Sequence, residues 1–426
     1  MPESPMHPAP AGLFSRLVAT PSLADLQAAA QLALQVEFST IPVYLSGLYS
    51  ISQRDNAAYQ ALRSVVIEEM FHFNQAANIL VALGGQPRIT GSYAPSYPTY
   101  LPQANPDTTP FLGLYRASVD VFANVYAAIE TPAAFGAPAQ GEHYDTIAQL
   151  YAALRDGIIA YPGNPFEHTA PGARQRTDIY IGKFGGRPIC VVDKDTAFAG
   201  LEQIVKQGEG TVPATSPLDP IQQFGAYEHY GERTDGTYGP IMGTPFEMSH
   251  FSKFRHVSLN KTGFPATLPI VSNPSISQFT NPEAVQLADL FNAAYTKLLV
   301  ALENSFKVPA PGDPDPFFGA ALDLMHQVMP NLADALMSTP AHTNGDASVG
   351  PNAAPTWTCL ETPHGLRAAA SSTGEGLANQ TAQAISTTLS GIKRTHGSAD
   401  EDARREHVAH ALRRALKAMP KVPQPA

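Results

Sequence analysis

The stretch that decides the fold is VVIEEMFHF, residues 65–73. Glu69 and His72 are three positions apart, so on a helix their side chains share one face. The residues around them are apolar, which predicts that this face is directed inward. Charged side chains are seldom buried unless they are paired or bound to a metal. The stretch therefore predicts half of a metal site that is built from carboxylates and imidazoles inside a helical bundle.

Three further segments complete a set of candidate ligands. Glu37 and Glu130 are lone acids in long, nearly uncharged segments, and Glu247 and His250 form a second Glu-x-x-His motif. The order along the chain is the ligand order of a four-helix bundle that binds two iron or manganese ions. Such a donor set suits iron or manganese better than a structural zinc. The candidate metal ligands are Glu37, Glu69, His72, Glu130, Glu247 and His250.

Each candidate ligand also has a purely structural interpretation. Glu247 is the third residue of a helix that Thr244 is expected to cap, so it can be a capping residue. Glu130 can mark a helix end, although a carboxylate there opposes the helix dipole. Taken alone, the others can be ordinary paired or hydrogen-bonded core residues. We interpret Glu68, which points away from the face of its neighbour, as a supporting or surface acid.

Helical spacing predicts most of the secondary structure. Four early segments have apolar residues at helical intervals, and they begin near Ser22, Asp55, Phe111 and Thr244. The first starts with a capping-box pattern and contains Pro42 in its interior. The 39 prolines and 32 glycines among 426 residues indicate long, defined loops between the helices.

One connection is long enough to be a separate insertion. A β-hairpin is predicted in it, where the ranges 178–184 and 188–192 flank Gly185 and Gly186. Further helices with amphipathic patterns follow the fourth core helix. The predicted division is an irregular arm over 1–21, a metal-binding bundle over 22–260 with an insertion over 131–243, an appended helical region over 261–365, and an Ala/Ser/Thr-rich, basic amphipathic tail over 366–426.

The composition limits the classes of function. The 27 Lys+Arg against 37 Asp+Glu give a net charge of -10, and a general nucleic-acid binder needs a basic surface instead. The sequence contains no run of about eighteen apolar residues, so no membrane span is predicted, and a cytoplasmic protein is expected. Cys190 and Cys359 are too few for a disulfide framework or a cysteine-rich zinc site.

Four segments carry a resemblance to a known family. They are ALQVEFSTIPVYL (33–45), IEEMFHF (67–73), IVKQGEGT (204–211) and EMSHFSKF (247–254). In these segments the chain resembles the ferritin-like family that contains the iminophenyl-pyruvate dimer synthases of bisindole pigment biosynthesis. The resemblance implies that the six candidate ligands line the metal site. The role of the third segment does not follow from the sequence.

The resemblance also implies a fold and a chemistry. The expected fold is mainly α, a ferritin-like four-helix bundle with a long loop and β-hairpin insertion and appended C-terminal helices. The implied chemistry is oxidation of amino-acid-derived imines or related small molecules.

A metal-dependent oxidase or oxygenase is the predicted function. Its expected cofactor is one or two non-haem iron ions, with manganese as the alternative, and its expected partner is a small organic substrate that reacts with dioxygen or peroxide. A non-enzymatic metal-binding scaffold or an iron-handling protein is the alternative. Haem is left open because relatives have been associated with it, although no Cys-x-x-Cys-His motif is present. A homo-oligomer is also left open.

Overall fold

The computed structural model is mainly helical, which confirms the predicted class. It divides into two compact units: unit 1 comprises Met1–Arg88, Pro98–Leu112 and Ala117–Ala266, and unit 2 comprises Ile89–Tyr97, Gly113–Arg116 and Thr267–Ala426. The finer predicted domain boundaries stay predictions. The residues described are 6–132, 143–168, 170, 172–179, 187–208, 227–228, 232–233, 248–260, 262–308, 316–360, 382–388, 403, 406–410 and 413.

Among the described residues of unit 1, four helices form the core and three more pack around them. Helix α2 packs on α3, α7 packs on α3 and α4, and α6 packs on α3 and α5. The core helices are α2, α3, α4 and α7. The bounds are α1 Leu13–Ala19, α2 Leu23–Ser50, α3 Ala57–Ala82, α4 Val119–Val121 continued by a π-helical turn Phe122–Tyr126 and Ala127–Ile129, α5 Ile147–Ala160, α6 Lys194–Gln207 and α7 His250–Leu259.

Helix α2 is fixed at its start by a reciprocal cap. The backbone N–H of Asp25 donates to Ser22 Oγ at 3.2 Å, and the backbone N–H of Ser22 donates to Asp25 Oδ2 at 3.0 Å. Burial alone would raise the pKa of Asp25, but hydrogen bonds from Ser22 and from the Arg16 guanidinium lower it. The predicted capping box is thus confirmed, and the helix continues through Pro42 to its end.

The predicted irregular arm over 1–21 is wrong for its second half. Leu13–Ala19 form helix α1, and Leu13, Phe14 and Leu17 are buried. These three apolar side chains are spaced so that they share one helical face. Helix α1 packs on α5. The segment is short and follows several prolines, so its sequence alone did not indicate a packed helix.

The predicted β-hairpin is not seen where its range is described, and 180–186 lie outside the described residues. The backbone of 187–192 belongs to no strand in the described part of the chain. Glutamine side chains satisfy it instead: the N–H of Val191 donates to Gln175 Oε1 at 2.8 Å, and the N–H of Ile189 donates to Gln75 Oε1 at 2.8 Å. The described strands are Tyr227–Glu228 and Glu232–Arg233, which pair antiparallel.

Helix α7 begins later than predicted. Ser249 is its N-cap and accepts a hydrogen bond from the N–H of Ser252 at 3.2 Å, so the first helical residue is His250. Thr244 and Glu247 lie outside the described residues. The prediction of one continuous helix from Thr244 onward is therefore wrong, because Ser249 caps α7.

Unit 2 has its own aromatic core. Trp357 is buried, with Phe291 and Tyr295 packed edge-on at ring distances of 4.9 and 5.3 Å. Beside them the Asn292 amide donates to Thr356 Oγ1 at 2.8 Å, and its oxygen accepts from the N–H of Thr358 at 3.1 Å. The long helices are α8 Pro282–Ser305 and α9 Pro316–Asp323, Leu324–Val328 (π-helical) and Met329–Met337, and single 3-10 turns occur at Gly91–Tyr93, Pro165–Glu167 (in unit 1) and Ile276–Gln278.

Among the described residues, none of the helices combines the length and the apolar character that a membrane crossing requires.

Candidate metal centre

Five of the six predicted ligands lie together inside unit 1. They come from all four core helices or their ends, and each of them is at most 2% exposed. Ligand atoms of three of them, Glu69, His72 and His250, lie within 4.8 Å of one another. The sixth, Glu247, lies outside the described residues, so its role stays a prediction. The five are Glu37 in α2, Glu69 and His72 in α3, Glu130 at the end of α4 and His250 at the start of α7.

One carboxylate oxygen faces both histidines. Glu69 Oε1 is 2.8 Å from His250 Nδ1 and 3.6 Å from His72 Nδ1. Glu37 Oε2 is 3.6 Å from His72 Nδ1, and Glu130 Oε1 is 3.6 Å from His250 Nδ1. A separation of 3.6 Å is too long for a hydrogen bond. It fits two donors that share one ion, since bonds of about 2.1 Å place such donors roughly 3.0–4.2 Å apart.

Both imidazoles are held so that Nδ1 faces the carboxylates. His72 Nε2 lies 2.6 Å from Gln207 Oε1, and His250 Nε2 lies 2.9 Å from Glu68 Oε2. An amide or carboxylate oxygen can only accept, so Nε2 carries a proton, and Nδ1 is the nitrogen that can offer a lone pair to a metal once its own proton is displaced. Ligating histidines in metal proteins are oriented in this way by a partner on the other ring nitrogen.

The partner of His250 belongs to a buried ion pair. Lys253 Nζ lies 2.5 Å from Glu68 Oε2, and the two residues are 3% and 0% exposed. Burial alone would raise the pKa of Glu68, but the Lys253 ammonium and the His250 imidazole lower it. Of the two interpretations of Glu68, the supporting acid therefore fits the structure, and the surface acid does not.

A hydroxyl group donates to each of the three carboxylates. Tyr151 donates to Glu37 Oε1, Thr40 to Glu69 Oε2 and Tyr44 to Glu130 Oε1, each at 2.5 Å. Burial and the neighbouring carboxylates raise the pKa of both phenols. The phenols therefore stay protonated at neutral pH and fix the orientation of the carboxylates.

The carboxylates and imidazoles shift each other's protonation. Burial raises the pKa of Glu37 to about 7. Burial alone would lower the pKa of His72, but Glu37 and Glu69 raise it to about 9. Burial alone would raise the pKa of Glu69, but the two histidines lower it. Protons on the imidazoles thus balance the buried carboxylates in the metal-free chain, and a metal ion that binds must displace them.

A buried nitrogen tests whether these residues fit a metal. His250 Nδ1 makes no hydrogen bond of acceptable geometry to a described residue, despite its distance of 2.8 Å from Glu69 Oε1. A buried polar atom without a partner costs about 1–3 kcal/mol. A cation shared by the two atoms removes that cost, so the site fits iron or manganese on its donor set and on this unpartnered atom.

Helices α5 and α6 cover the centre. A small cavity beside the ligands is lined on this side by Ile147, Ala148, Ile204, Val205 and Gly208. Four of these five residues have apolar side chains and the fifth is glycine, so this side of the cavity is apolar, and the ligands Glu37, Glu69, His72 and Glu130 line the other side.

The π-helical turn in α4 was not predicted. It spans Phe122–Tyr126 and precedes Glu130. The Tyr126 ring packs edge-on against Tyr44 at 5.3 Å, and Tyr44 donates to Glu130. Turns of this type are frequent at functional sites.

A helical core that gathers buried glutamates and histidines defines the class: a four-helix protein with a candidate metal centre. A family model described as Ferritin-like matches residues 30–258. The chain belongs to the ferritin-like family, which confirms the predicted resemblance at the level of the family.

Two relatives are informative. The chain is 25% identical over 312 residues to the 2-imino-3-(indol-3-yl)propanoate dimerase of Chromobacterium violaceum, and the match covers 69% of this chain. It covers 27% of that enzyme, so the chain spans about a quarter of the relative's length. It is also similar to the crystal structure of a ferritin-like protein from Caulobacter vibrioides, with a TM-score of 0.50, 22% identity, and coverage of 68% of this chain and 90% of that chain. This second similarity supports the fold alone.

Proposed function

We propose that the chain is a metal-dependent oxidoreductase that acts on a small organic substrate. The observation that carries the proposal is the buried cluster of Glu69, His72 and His250, in which both histidines present Nδ1 to a shared carboxylate oxygen. Non-haem iron, as one or two ions, is the proposed metal, and manganese is the alternative. Bound iron supplies one-electron chemistry between a substrate and dioxygen or peroxide.

The residues of the chain have separate tasks in this proposal. Glu37, Glu69 and Glu130 neutralise the charge of the metal, which imidazoles cannot do, and the hydroxyl groups that donate to them fix their orientation. Apolar side chains such as Ile147 and Ile204 line the adjoining cavity. An apolar lining limits water and so protects an oxidising centre from side reactions.

An imine derived from an amino acid is the proposed class of substrate. The support is the similarity to an enzyme named for the dimerisation of 2-imino-3-(indol-3-yl)propanoate. The identity is 25% and the match covers about a quarter of that enzyme, so the indole group of its substrate is not part of the proposal.

Turnover of iron-loaded protein tests the function. The full chain is loaded with Fe²⁺ without oxygen and then mixed with air and an imine, produced by oxidation of an aromatic amino acid. Dioxygen uptake is followed, and coupled products are sought by mass spectrometry. We expect turnover in the wild type and loss of at least about tenfold in Glu69→Gln, which removes the shared charge. The matched control is Glu202→Gln on the surface of α6, which is expected to react at the wild-type rate.

Each other outcome has a defined meaning. Wild-type turnover in Glu69→Gln contradicts the proposed site. Iron binding without any turnover favours the alternative of a metal-binding scaffold or iron-handling protein. Turnover that requires added haem favours the haem alternative.

A further inference from the structure

The end of helix α6 reaches the metal centre from outside the four core helices. Gln207 is its last residue, is 4% exposed, and places Oε1 2.6 Å from His72 Nε2. It belongs to the segment IVKQGEGT, whose role the sequence left unexplained. The contact joins α6 to a candidate ligand that lies in α3, 135 positions away in the chain.

The next residue, Gly208, lies against a second ligand. A Cβ atom at this position would lie 3.3 Å from Glu130 Oε2, which is closer than ordinary van der Waals contact. Its φ of −67° is not in the left-handed region that favours glycine, so the close approach to Glu130 is the observed reason for a glycine here. The carbonyl of Gly208 also accepts from the N–H of Phe251 at 3.3 Å, beside His250.

We propose that the turn Gln207–Gly208 is a positioning element of the metal centre. Gln207 fixes the imidazole of His72 as an Nδ1 ligand, and Gly208 leaves the space that the Glu130 carboxylate needs. This inference rests on the metal centre of the proposed function. Both residues act through a ligand, so they are positioning residues and not catalytic ones.

Amide chemistry explains why a glutamine suits this position. A neutral amide oxygen accepts the Nε2 proton and selects one tautomer of His72, and it adds no charge to a region that already holds several carboxylates. Loss of such a partner costs about 10–100-fold in metal affinity in other metal proteins. The same range is expected here.

Cobalt titration of the full chain tests the proposal. Metal-free protein is titrated with Co²⁺ by calorimetry, and the Co²⁺ form is examined by proton NMR for the shifted, exchangeable N–H resonances of ligated histidines. Gln207→Leu should bind Co²⁺ about 10–100-fold more weakly and lose one N–H resonance to solvent exchange. Gln207→Glu, which restores an acceptor, should recover most of the affinity and keep the resonance. Gln203→Leu, one turn earlier in α6, is the matched control and should behave as wild type.

Gly208→Ala gives a different signature. It should weaken Co²⁺ binding through Glu130 while the N–H resonance of His72 remains. If Gln207→Leu does not fold, Gln207→Asn decides the question, because its shortened amide cannot reach His72.

The contrary results are distinct. Wild-type affinity and an unchanged N–H resonance in the Gln207 variant that folds, or full affinity in Gly208→Ala, overturn the positioning role while the metal centre stands. If the wild type binds no Co²⁺, the metal centre of the proposed function is itself refuted, and this inference falls with it.

Discussion

Removal of one charge from the Glu68–Lys253 pair should destabilise unit 1 strongly. The ammonium of Lys253 lies 2.5 Å from Glu68 Oε2 in a region with almost no solvent contact. Lys253→Met keeps the length and much of the apolar volume of the side chain but leaves a buried carboxylate whose remaining charged partner, among the described residues, is His250. The loss is therefore one of charge compensation and not of packing.

The magnitude follows from the burial of both partners. Breaking a buried ion pair by removing one partner costs about 3–5 kcal/mol, because the other charge stays desolvated. About 1 kcal/mol corresponds to roughly 2–4 °C in melting temperature for a unit of about this size. We therefore expect Lys253→Met to lower the melting temperature of the metal-free protein by about 6–20 °C.

A second ion pair of the same chain provides the matched control. Lys206 Nζ lies 2.6 Å from Glu202 Oε1 on the surface of α6, and both side chains are more than 60% exposed. Lys206→Met should cost about 0.3–0.5 kcal/mol, as for other exposed pairs on one helix. Calorimetric melting in the presence of a chelator measures both variants without any contribution from bound metal.

A double variant separates charge from shape. Lys253→Met combined with Glu68→Gln leaves no buried charge in the pair and should regain much of the lost stability. A loss of stability in Lys253→Met no larger than that in Lys206→Met would refute the role of the buried pair. That role is also refuted if the double variant is no more stable than Lys253→Met alone.

Three further predictions concern packing, capping and a buried amide. Gly47→Ala should cost about 1–3 kcal/mol, because a Cβ there overlaps the Tyr126 hydroxyl, whereas Gly319→Ala meets open space and should be neutral or stabilising in the same denaturation assay. Asp25→Asn should cost about 1 kcal/mol of unfolding free energy at pH 7. Because the pKa of Asp25 is lowered in the folded chain, this difference should shrink as the pH falls below about 4 in a pH series of unfolding curves. A difference that stays constant with pH would show that the charge of Asp25 does not stabilise the cap. Asn292→Ala should cost about 1–3 kcal/mol by chemical denaturation, since the buried hydroxyl of Thr356 and the N–H of Thr358 lose their amide partner; no loss would show that water replaces it.

The parts of the centre that could be predicted are those with a local signal. Glu69 and His72 are three positions apart in an apolar segment, so helical geometry alone places them on one buried face. Glu37 stands out because its segment is almost free of other charges. Both predictions depend only on the period of the helix and on the cost of burying a charge, and each of these can be evaluated within a single helix.

The partners that orient the ligands could not be predicted in the same way. Gln207 and Lys253 reach His72 and Glu68 from helices that are distant in sequence. A single glutamine at a helix end, or a lysine in a short helix, has no periodic pattern that distinguishes it from a surface residue. The sequence does contain one signal for Lys253: it lies in the short segment HFSKF with Phe251 and Phe254, a setting that is unusual for a solvent-exposed lysine.

The error at the start of helix α7 has a similar origin. Thr244 and Ser249 are both acceptable helix caps by composition, and their local sequences do not rank them. The structure selects Ser249, which makes His250 the first helical residue and removes the helical spacing that linked His250 to Glu247. Helix α7 packs on α3 and α4, and a comparison of local cap residues contains no information on such tertiary contacts.

Metal content tests the central claim most directly. The full chain is purified without added metal and compared with Glu69→Ala by inductively coupled plasma mass spectrometry, before and after reconstitution with Fe²⁺. We expect up to two iron or manganese ions per chain in the wild type and loss of most of that metal in Glu69→Ala, because Glu69 Oε1 faces both histidines. Absence of metal in the reconstituted wild type, or an undiminished metal content in Glu69→Ala, would contradict the central claim.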